Sequence, residues 1–434
     1  MLHRRGFIMG AGSTLALATA GCAPNGETGA ASGTSIPWMG GNLLIDPGPE
    51  PALAGILPVA TGNDPYAPLS GVLRTLQRQR GEQKGLVTLI GDSHTAGPFL
   101  VERLRELFQT RFGSAGLGRL PPGRAQRYFN PSGFRVEQRG GWVAQNALRS
   151  SNPGPFGLTG YRLTGEQAGD SITLRMAGGE SFDRVQIALM AGPDSGSFRI
   201  RMDGSGGPVP RIGGARREFR RLRFDAPRGC RELSLELAGD GPVELLGWGV
   251  ERRARGVIVE GFGIIGATLA SLDNRDRQIL LDELSAMPPA LLVLEFGTNE
   301  ATDRDFDQDA YRAALVRWLR TLRTALPRTG LMLMGPADSG RPRRGLGCAG
   351  ITPLPALRQI QTIQREVARA EGCAHFDWSA EVTHDPCRVP AMARDAPPMM
   401  QRDLVHFTAD GYRFTADRLF NHIMRSAGVS QQAA

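Results

Sequence analysis

The chain has 434 residues, of which 41% are hydrophobic and 22% charged, ordinary values for a globular protein of one large domain or two smaller ones. The formal net charge is +8, from 51 Lys+Arg against 43 Asp+Glu, and Lys84 is the only lysine. No nucleic-acid-binding module accompanies this charge, so a nucleic-acid partner is not favoured. The arginine-rich stretches 216–221 and 341–344 would either attract an anionic surface or form solvated faces.

The first 22 residues are typical of a targeting segment rather than of the fold. Arg4-Arg5 begin a twin-arginine pattern, and the apolar stretch after them is too short and glycine-rich to predict a membrane span. The segment ends at Thr19-Ala20-Gly21-Cys22, which resembles a lipoprotein processing site with Cys22 as the acylated residue. The alternative is an ordinary signal with a chance cysteine. We expect residues 23–84 to be a flexible tether and lead-in to an envelope protein, anchored to a membrane.

Residues 85–152 are predicted to be the first part of an α/β domain. An apolar strand over 87–90 runs into Gly91-Asp92-Ser93-His94, and a helix is expected to begin near Thr95. That helix would dock on the sheet through side chains that recur at helical spacing, namely Leu100, Leu104, Leu107 and Phe108.

The pattern changes over residues 153–250, where short strands alternate with Gly and Asp turns. Six strands are predicted, over 171–176, 184–190, 197–202, 218–224, 232–237 and 243–250. This regular spacing favours an inserted β-sandwich or jelly-roll module. Because the insertion divides the α/β pattern in two, we expect either a carbohydrate-binding accessory module or a stabilising lid.

Strand–helix alternation resumes over residues 251–428 and implies a parallel sheet, with 429–434 as a tail. Strands are expected over 257–259, 291–296 and 331–334, and helices over 308–326, around 360–367 and over 409–424. The cysteines besides Cys22 are Cys230, Cys348, Cys373 and Cys387. Cys348 with Cys387 is one candidate disulfide, but the sequence does not determine the pairing.

Three segments carry residues suited to acyl transfer. Ser93 follows one apolar strand, Gly297-Thr298-Asn299-Glu300 follows another, and Asp403 precedes His406 by three residues near the C-terminus. A serine nucleophile needs a base, a group that orients the base, and donors for the oxyanion. We therefore predict Ser93 as the nucleophile, His406 as the base and Asp403 as its orienting partner, because strand ends in an open α/β sheet converge on one edge.

The other histidines lack the Asp-x-x-His context: His94, His3, His375, His384 and His422. His94 adjoins the nucleophile and is expected to pack or to touch substrate. No His-x-x-x-His or Cys-x-x-Cys spacing supports a metal site, so we predict neither a metal nor a cofactor.

These segments resemble the blocks of the SGNH, or GDSL-type, hydrolases. Gly91-Asp92-Ser93 matches the first block, Gly297-Thr298-Asn299 the third, and Asp403 to His406 the fifth. The resemblance implies a flavodoxin-like three-layer α/β sheet with the all-β module inserted. It also implies an oxyanion hole made by the Ser93 and Gly266 backbone N–H groups and the Asn299 amide, with Gly263 as the alternative glycine.

A narrower resemblance is to bacterial peptidoglycan O-acetylesterases, in which Gly-Asp-Ser-His-Thr-Ala and Gly-Thr-Asn-Glu also occur. It rests on residues 91–96, 112–118 and 297–301 and on the long insertion. It implies a serine esterase of the cell envelope whose partner is an O-acetylated glycan, most directly peptidoglycan. The alternatives are an O-acetyltransferase with the same triad, an esterase acting on another acetylated polysaccharide or lipid, and a glycan-binding protein with an idle site.

Overall fold

The computed structural model describes residues 64–78, 83–126, 129–207, 209–210 and 212–429, together with the backbone of two short strands within residues 35–45. The predicted signal segment, Cys22 and most of the predicted tether lie outside the described residues, as does almost all of the tail. Among the helices of the described part, none is long and apolar enough to cross a membrane.

A parallel five-stranded sheet forms the centre of the α/β part, as the strand–helix alternation predicts. Its strand order is β15-β3-β16-β17-β20. Every neighbouring pair in it is parallel. The strands are β3 (Lys84–Gly91), β15 (Gly256–Gly263), β16 (Leu291–Glu295), β17 (Gly330–Met334) and β20 (Ala374–Phe376).

Helices cover both faces of this sheet, because successive strand residues point to opposite sides. Leu291 and Val293 belong to one core cluster, whereas Leu292 and Leu294 belong to the other. Helices α1 (Ala67–Gln77), α3 (Pro98–Phe112) and α8 (Ala409–Ser426) pack on the first face. Helices α4 (Arg277–Ala286), α5 (Gln308–Ala325) and α6 (Leu357–Ala370) pack on the second face. The result is the predicted three-layer α/β arrangement.

The sequence predicts one helix after the nucleophile, whereas the structure has two. Helix α2 covers only Ser93–Ala96, Gly97 is extended, and α3 begins at Pro98. The residue before a proline is disfavoured in the α conformation, which explains the break. The helix that begins at Ser93 is therefore a single turn. A further one-turn helix, α7, covers Val389–Met392.

Two antiparallel sheets account for the β-rich part of the chain. One has the order β1-β2-β12-β9-β14-β7-β6 with β4 paired to β14, and the other has the order β11-β10-β13-β8-β5. Their facing side chains, such as Leu189 from one sheet and Leu235 from the other, form one shared core. The strands are β1 (Ser35–Trp38), β2 (Gly41–Ile45), β4 (Gly116–Leu120), β5 (Phe134–Arg139), β6 (Val143–Asn146), β7 (Tyr161–Gly165), β8 (Ser171–Met176), β9 (Phe182–Ala191), β10 (Phe198–Met202), β11 (Ser205–Gly206), β12 (Glu218–Cys230), β13 (Glu232–Leu237) and β14 (Val243–Glu251).

The boundaries of these sheets differ from the expected 153–250. The main run of antiparallel strands begins earlier than expected, at Gly116. In addition, β2 pairs with β12 and β1 pairs with β2, although both come from the segment expected to be a tether. Helix α1, also from that segment, is buried in the α/β core through Leu69, Leu73 and Leu76. Long-range pairing and burial therefore recruit segments whose own composition favours a loop.

A buried ion pair joins the antiparallel sheets to the parallel sheet. Arg119 of β4 pairs with Glu260 of β15, and the side chains are 6% and 0% exposed. Glu260 also accepts a hydrogen bond from the Thr88 hydroxyl at 2.8 Å. A second link is the 2.7 Å pair of Lys84 with Glu251, on β14. Two short strands near residue 348 pair with each other, β18 (Gly340–Pro342) and β19 (Ile351–Pro353). A disulfide joins Cys348 to Cys387.

We predict that Arg119→Met destabilises the protein by about 3–5 kcal/mol, because it leaves the Glu260 carboxylate buried without its cation. Arg175→Met is the control, since the Arg175 side chain is 48% exposed in its pairs with Glu137 and Glu232, and should cost less than about 1 kcal/mol. Urea unfolding of both variants measures the difference. Equal losses would contradict a special role for the buried pair.

Candidate active site

The loops that follow β15, β3, β16 and β20 meet at the carboxyl edge of the parallel sheet, where open α/β folds bind ligands. Ser93 comes two residues after β3, Gly266 three residues after β15, and Asn299 four residues after β16. His406 and Asp403 lie on the loop that leads into α8. The chain thus brings all five sequence-predicted residues to one edge.

Ser93, His406 and Asp403 form a continuous hydrogen-bonded series. The Ser93 Oγ lies 2.9 Å from His406 Nε2, and His406 Nδ1 lies 2.7 Å from Asp403 Oδ2. The other Asp403 oxygen accepts the backbone N–H groups of Val405 and His406, each at 3.0 Å. Burial alone would raise the pKa of Asp403, but the hydrogen bonds from His406 and from these N–H groups lower it below its usual value. The geometry suits a base held in one orientation.

A tight turn holds this pair. Leu404, between Asp403 and His406, has φ +57° and is 4% exposed. Non-glycine residues seldom adopt that conformation, so the surrounding contacts must impose it. The Leu404 carbonyl accepts the Gly340 N–H at 3.1 Å, and the Gln401 N–H donates to the His406 carbonyl at 2.7 Å.

The three predicted oxyanion donors differ in whether they already donate a hydrogen bond. The backbone N–H groups of Ser93 and Gly266 donate no hydrogen bond within the described residues. Gly266 has φ +81°, and Gly263, the alternative glycine, is instead the buried last residue of β15. Asn299 Nδ2 donates to the Ala267 carbonyl at 2.8 Å and to Asp92 Oδ2 at 3.2 Å. An oxyanion would therefore have to replace or share the longer of these two contacts.

The other described histidines lie in different surroundings from His406. His422 contacts Tyr66 at 2.9 Å and Glu381 at 3.3 Å, and burial lowers the pKa of His375 to about 4. His384 is exposed. His94 is buried, with its Nδ1 at 2.9 Å from the Tyr412 hydroxyl and its ring centroid 5.4 Å from that of His406. Burial, and secondarily the nearby His406, lowers the pKa of His94 to about 3, so His94 is a neutral packing partner of the base.

Sequence reasoning missed two features that support the site. Trp378 and Phe407 stack with ring centroids 5.4 Å apart, and both rings also contact His94. Glu295, at the end of β16, lies directly behind the nucleophile turn and is fully buried. A carboxylate within an otherwise apolar strand was the available signal for Glu295; the aromatic packing had none, because its members are far apart in the chain.

Glu295 and Asp92 form a buried carboxyl pair. Glu295 Oε2 accepts the Asp92 N–H at 3.2 Å and the Thr95 hydroxyl at 2.9 Å, while Asp92 Oδ1 accepts the His94 N–H at 2.9 Å. No ion pair of the described chain includes either group. Burial raises the pKa of Asp92 to about 7, although the His94 N–H opposes it, and burial and Asp92 raise the pKa of Glu295 well above its usual range. At least one of the two is therefore protonated near neutral pH.

One family model and several solved structures match parts of this chain. Residues 237–414 match the GDSL-like lipase/acylhydrolase family, a range that includes Asn299, Asp403 and His406 but not Ser93. A solved structure of a peptidoglycan O-acetylesterase superposes with a TM-score of 0.71 at 23% identity, covering 87% of this chain and 100% of that chain. No curated protein matches the sequence.

Two other solved structures overlap far less. A family two carbohydrate esterase from Clostridium thermocellum, in complex with cellohexaose, has a TM-score of 0.27 at 13% identity, covering 66% of this chain and 99% of that chain. A GDSL-like lipase from Bacteroides thetaiotaomicron has a TM-score of 0.29 at 17% identity, covering 39% and 76%.

We predict that the free energy of unfolding falls less with rising pH in Glu295→Gln than in the wild type. The folded-state pKa of Asp92 lies above its ordinary value, so its contribution to folding is present at acid pH and lost as pH rises through about 7. A glutamine cannot ionise and can donate to Asp92, which lowers the Asp92 pKa. Urea unfolding at about pH 5 and about pH 8 should show a smaller stability difference in the variant than in the wild type.

Glu366→Gln is the matched control, because the Glu366 side chain is 53% exposed on α6, and it should keep the wild-type pH dependence. The same pH dependence in all three proteins would show that the buried carboxyl pair does not titrate as described.

The family match over residues 237–414 and the shared fold lead to one conclusion. Residues 237–414 carry a GDSL-like lipase/acylhydrolase domain, and together with the shared fold this match supports a carboxylic ester hydrolase.

Proposed function

We propose that this protein is a serine esterase of the cell envelope that removes O-acetyl groups from a glycan, with peptidoglycan as the leading substrate. The observation that carries the proposal is the series Ser93–His406–Asp403, with contacts of 2.9 and 2.7 Å. The fold shared with a solved peptidoglycan O-acetylesterase supports the choice of substrate.

In the proposed mechanism Ser93 attacks the acetyl carbonyl while His406 Nε2 takes the hydroxyl proton. The oxyanion accepts the N–H groups of Ser93 and Gly266, with the Asn299 amide as the third donor. His406 then gives its proton to the departing sugar oxygen. A water activated by His406 hydrolyses the acetyl-enzyme, which releases acetate and restores Ser93.

The openness of the site supports a polymeric substrate. The side chains of His406 and Asp403 are 35% and 46% exposed. A glycan chain can lie across such a surface, whereas a deeply enclosed pocket would admit only a small ester. Water also reaches this surface, which favours hydrolysis of the acetyl-enzyme.

The antiparallel sheets are proposed to support the oxyanion loop, beside any contact they make with a glycan. The Gly263 carbonyl, three residues before Gly266, accepts the Gln126 amide at 2.7 Å and the Tyr161 hydroxyl at 3.2 Å. Tyr161 belongs to β7, and Gln126 lies between β4 and β5. Both donors thus fix the end of β15 from the antiparallel part of the chain.

We further infer an extracytoplasmic place of action. The twin-arginine pattern at Arg4-Arg5 and the Cys22 context support export and lipid attachment. Radiolabelled palmitate incorporation in wild type and Cys22→Ser tests the anchor.

Ser93→Ala should abolish acetate release from a chromogenic acetyl ester and from O-acetylated peptidoglycan, with a loss of at least about 10³-fold in kcat. Wild type should release acetate from both. Equal, slow release by wild type and variant would reject the esterase. If an acceptor oligosaccharide is supplied and acetylated sugar forms in place of acetate, the protein is an O-acetyltransferase and not an esterase.

Asp403→Asn should leave the fold intact and lower kcat by about 10²-fold, because the exposed imidazole keeps water as a partial substitute partner. His406→Ala should cost more, since the base itself is lost. His375→Ala is the control and should retain activity on the small ester. The base assignment would be wrong if His406→Ala stayed active while His375→Ala did not.

A further inference from the structure

The two arginine-rich stretches of the chain differ in their partners. In the stretch over residues 216–221, Arg216 and Arg220 pair with Glu218 at 3.2 and 2.8 Å, and Arg217 pairs with Glu244 at 2.6 Å. These three arginines share two carboxylates of the β-rich part of the fold. Arg221 is buried, so the stretch is only partly the solvated face that the sequence offered as one of two outcomes.

The other stretch belongs to a larger group of unpaired cations. All of its members are exposed, and none forms an ion pair or a side-chain hydrogen bond in the described part of the chain; we call them the arginine rim, made of Arg341, Arg343, Arg344, Arg388, Arg394 and Arg402. Three exposed acids, Asp385, Asp395 and Asp403, lie in the same segments as the six arginines and leave an excess of positive charge. Such a cluster repels itself unless an anion binds it.

The arginine rim lies on the edge of the sheet that carries the triad. Its segments follow β17 and β20, at the same carboxyl edge from which Ser93 projects. The Gly340 N–H bonds to the Leu404 carbonyl at 3.1 Å, which joins the first segment to the triad loop. The Cys348–Cys387 disulfide joins the two segments, and Arg402 immediately precedes Asp403. The rim is therefore held against the reaction centre.

We propose that the arginine rim binds the carboxylates of the glycan whose acetyl ester lies at Ser93. The substrate is then a polyanionic acetylated glycan, such as peptidoglycan with its acidic peptide stems, and not a neutral acetylated polysaccharide. This inference rests on the proposed esterase function and adds a basis for substrate selection. An anionic bilayer is a poorer occupant, because a membrane seated on this edge would cover the triad that the ester has to reach.

The test removes three rim charges with Arg341→Gln, Arg343→Gln and Arg344→Gln together. The matched control removes three charges from the opposite edge that have no ion-pair partner among the described residues. It combines Arg78→Gln, Arg255→Gln and Arg369→Gln, which precede strands β3, β15 and β20. Both triple variants and wild type are assayed on a small neutral acetyl ester, on acetylated xylan and on O-acetylated peptidoglycan.

The rim variant should lose about tenfold in kcat/KM on peptidoglycan and keep wild-type values on the small ester and on acetylated xylan. The control should match wild type on all three. Raising salt from about 50 to about 300 mM should slow wild type on peptidoglycan and barely affect the rim variant, because the attraction is screened.

A binding assay tests this inference separately from the esterase proposal. In a Ser93→Ala background, the rim substitutions should still weaken cosedimentation with peptidoglycan, whatever the activity of the enzyme. Equal losses in rim and control variants, an equal loss on the neutral ester, or unchanged cosedimentation would overturn the proposal. So would rim-dependent binding to phosphatidylglycerol vesicles with unchanged activity on peptidoglycan.

Discussion

The site depends on the close approach of three parallel strands at their carboxyl ends. A Cβ on Gly91 would lie 2.4 Å from Glu295 Oε2, and a Cβ on Gly263 would lie 2.1 Å from the Ala96 nitrogen. Only glycine permits these distances. The approach places the nucleophile turn directly against Glu295 on one side and the oxyanion loop on the other. Ser93, Gly266 and Asn299 therefore converge on one small region of the sheet edge.

The same crowding explains why carboxyl groups without cations are buried beneath a hydrolytic centre. Asp92 caps the turn that presents Ser93 and contacts the Asn299 amide, while Glu295 holds the Asp92 N–H. Burying two carboxylates in this way is costly unless a proton neutralises one of them. The geometry of the proposed oxyanion donors is thus coupled to the protonation state of the buried Asp92 and Glu295 carboxyl groups.

Most strands of the antiparallel sheets lie in the chain between Ser93 and the other proposed catalytic residues, yet the parallel sheet remains continuous. The buried Arg119–Glu260 pair and the donors to the Gly263 carbonyl fasten the two parts at β15. This arrangement also accounts for a family match that begins at residue 237, after most of the intervening strands, and so leaves Ser93 outside it.

The sequence alone determined the features that depend on local pattern. The apolar runs predicted strands β3, β16 and β17, and helical spacing predicted α5, α6 and α8. The proposed triad could be assigned from the sequence because each member lies in a short motif beside a strand or helix end. The strands β8 and β13 were also predicted with the bounds that the structure has, since alternation of side chains is a local property.

Tertiary structure alone decided the features that depend on which distant segments meet. Local composition does not encode the pairing of β2 with β12, the burial of α1, the Glu295–Asp92 contact or the stacking of Trp378 on Phe407. It also does not show which arginines find acidic partners: Arg216, Arg217 and Arg220 do, whereas those of 341–344 have none among the described residues. Register, close packing and charge pairing are properties of the assembled chain, because they are set by contacts between residues far apart in sequence.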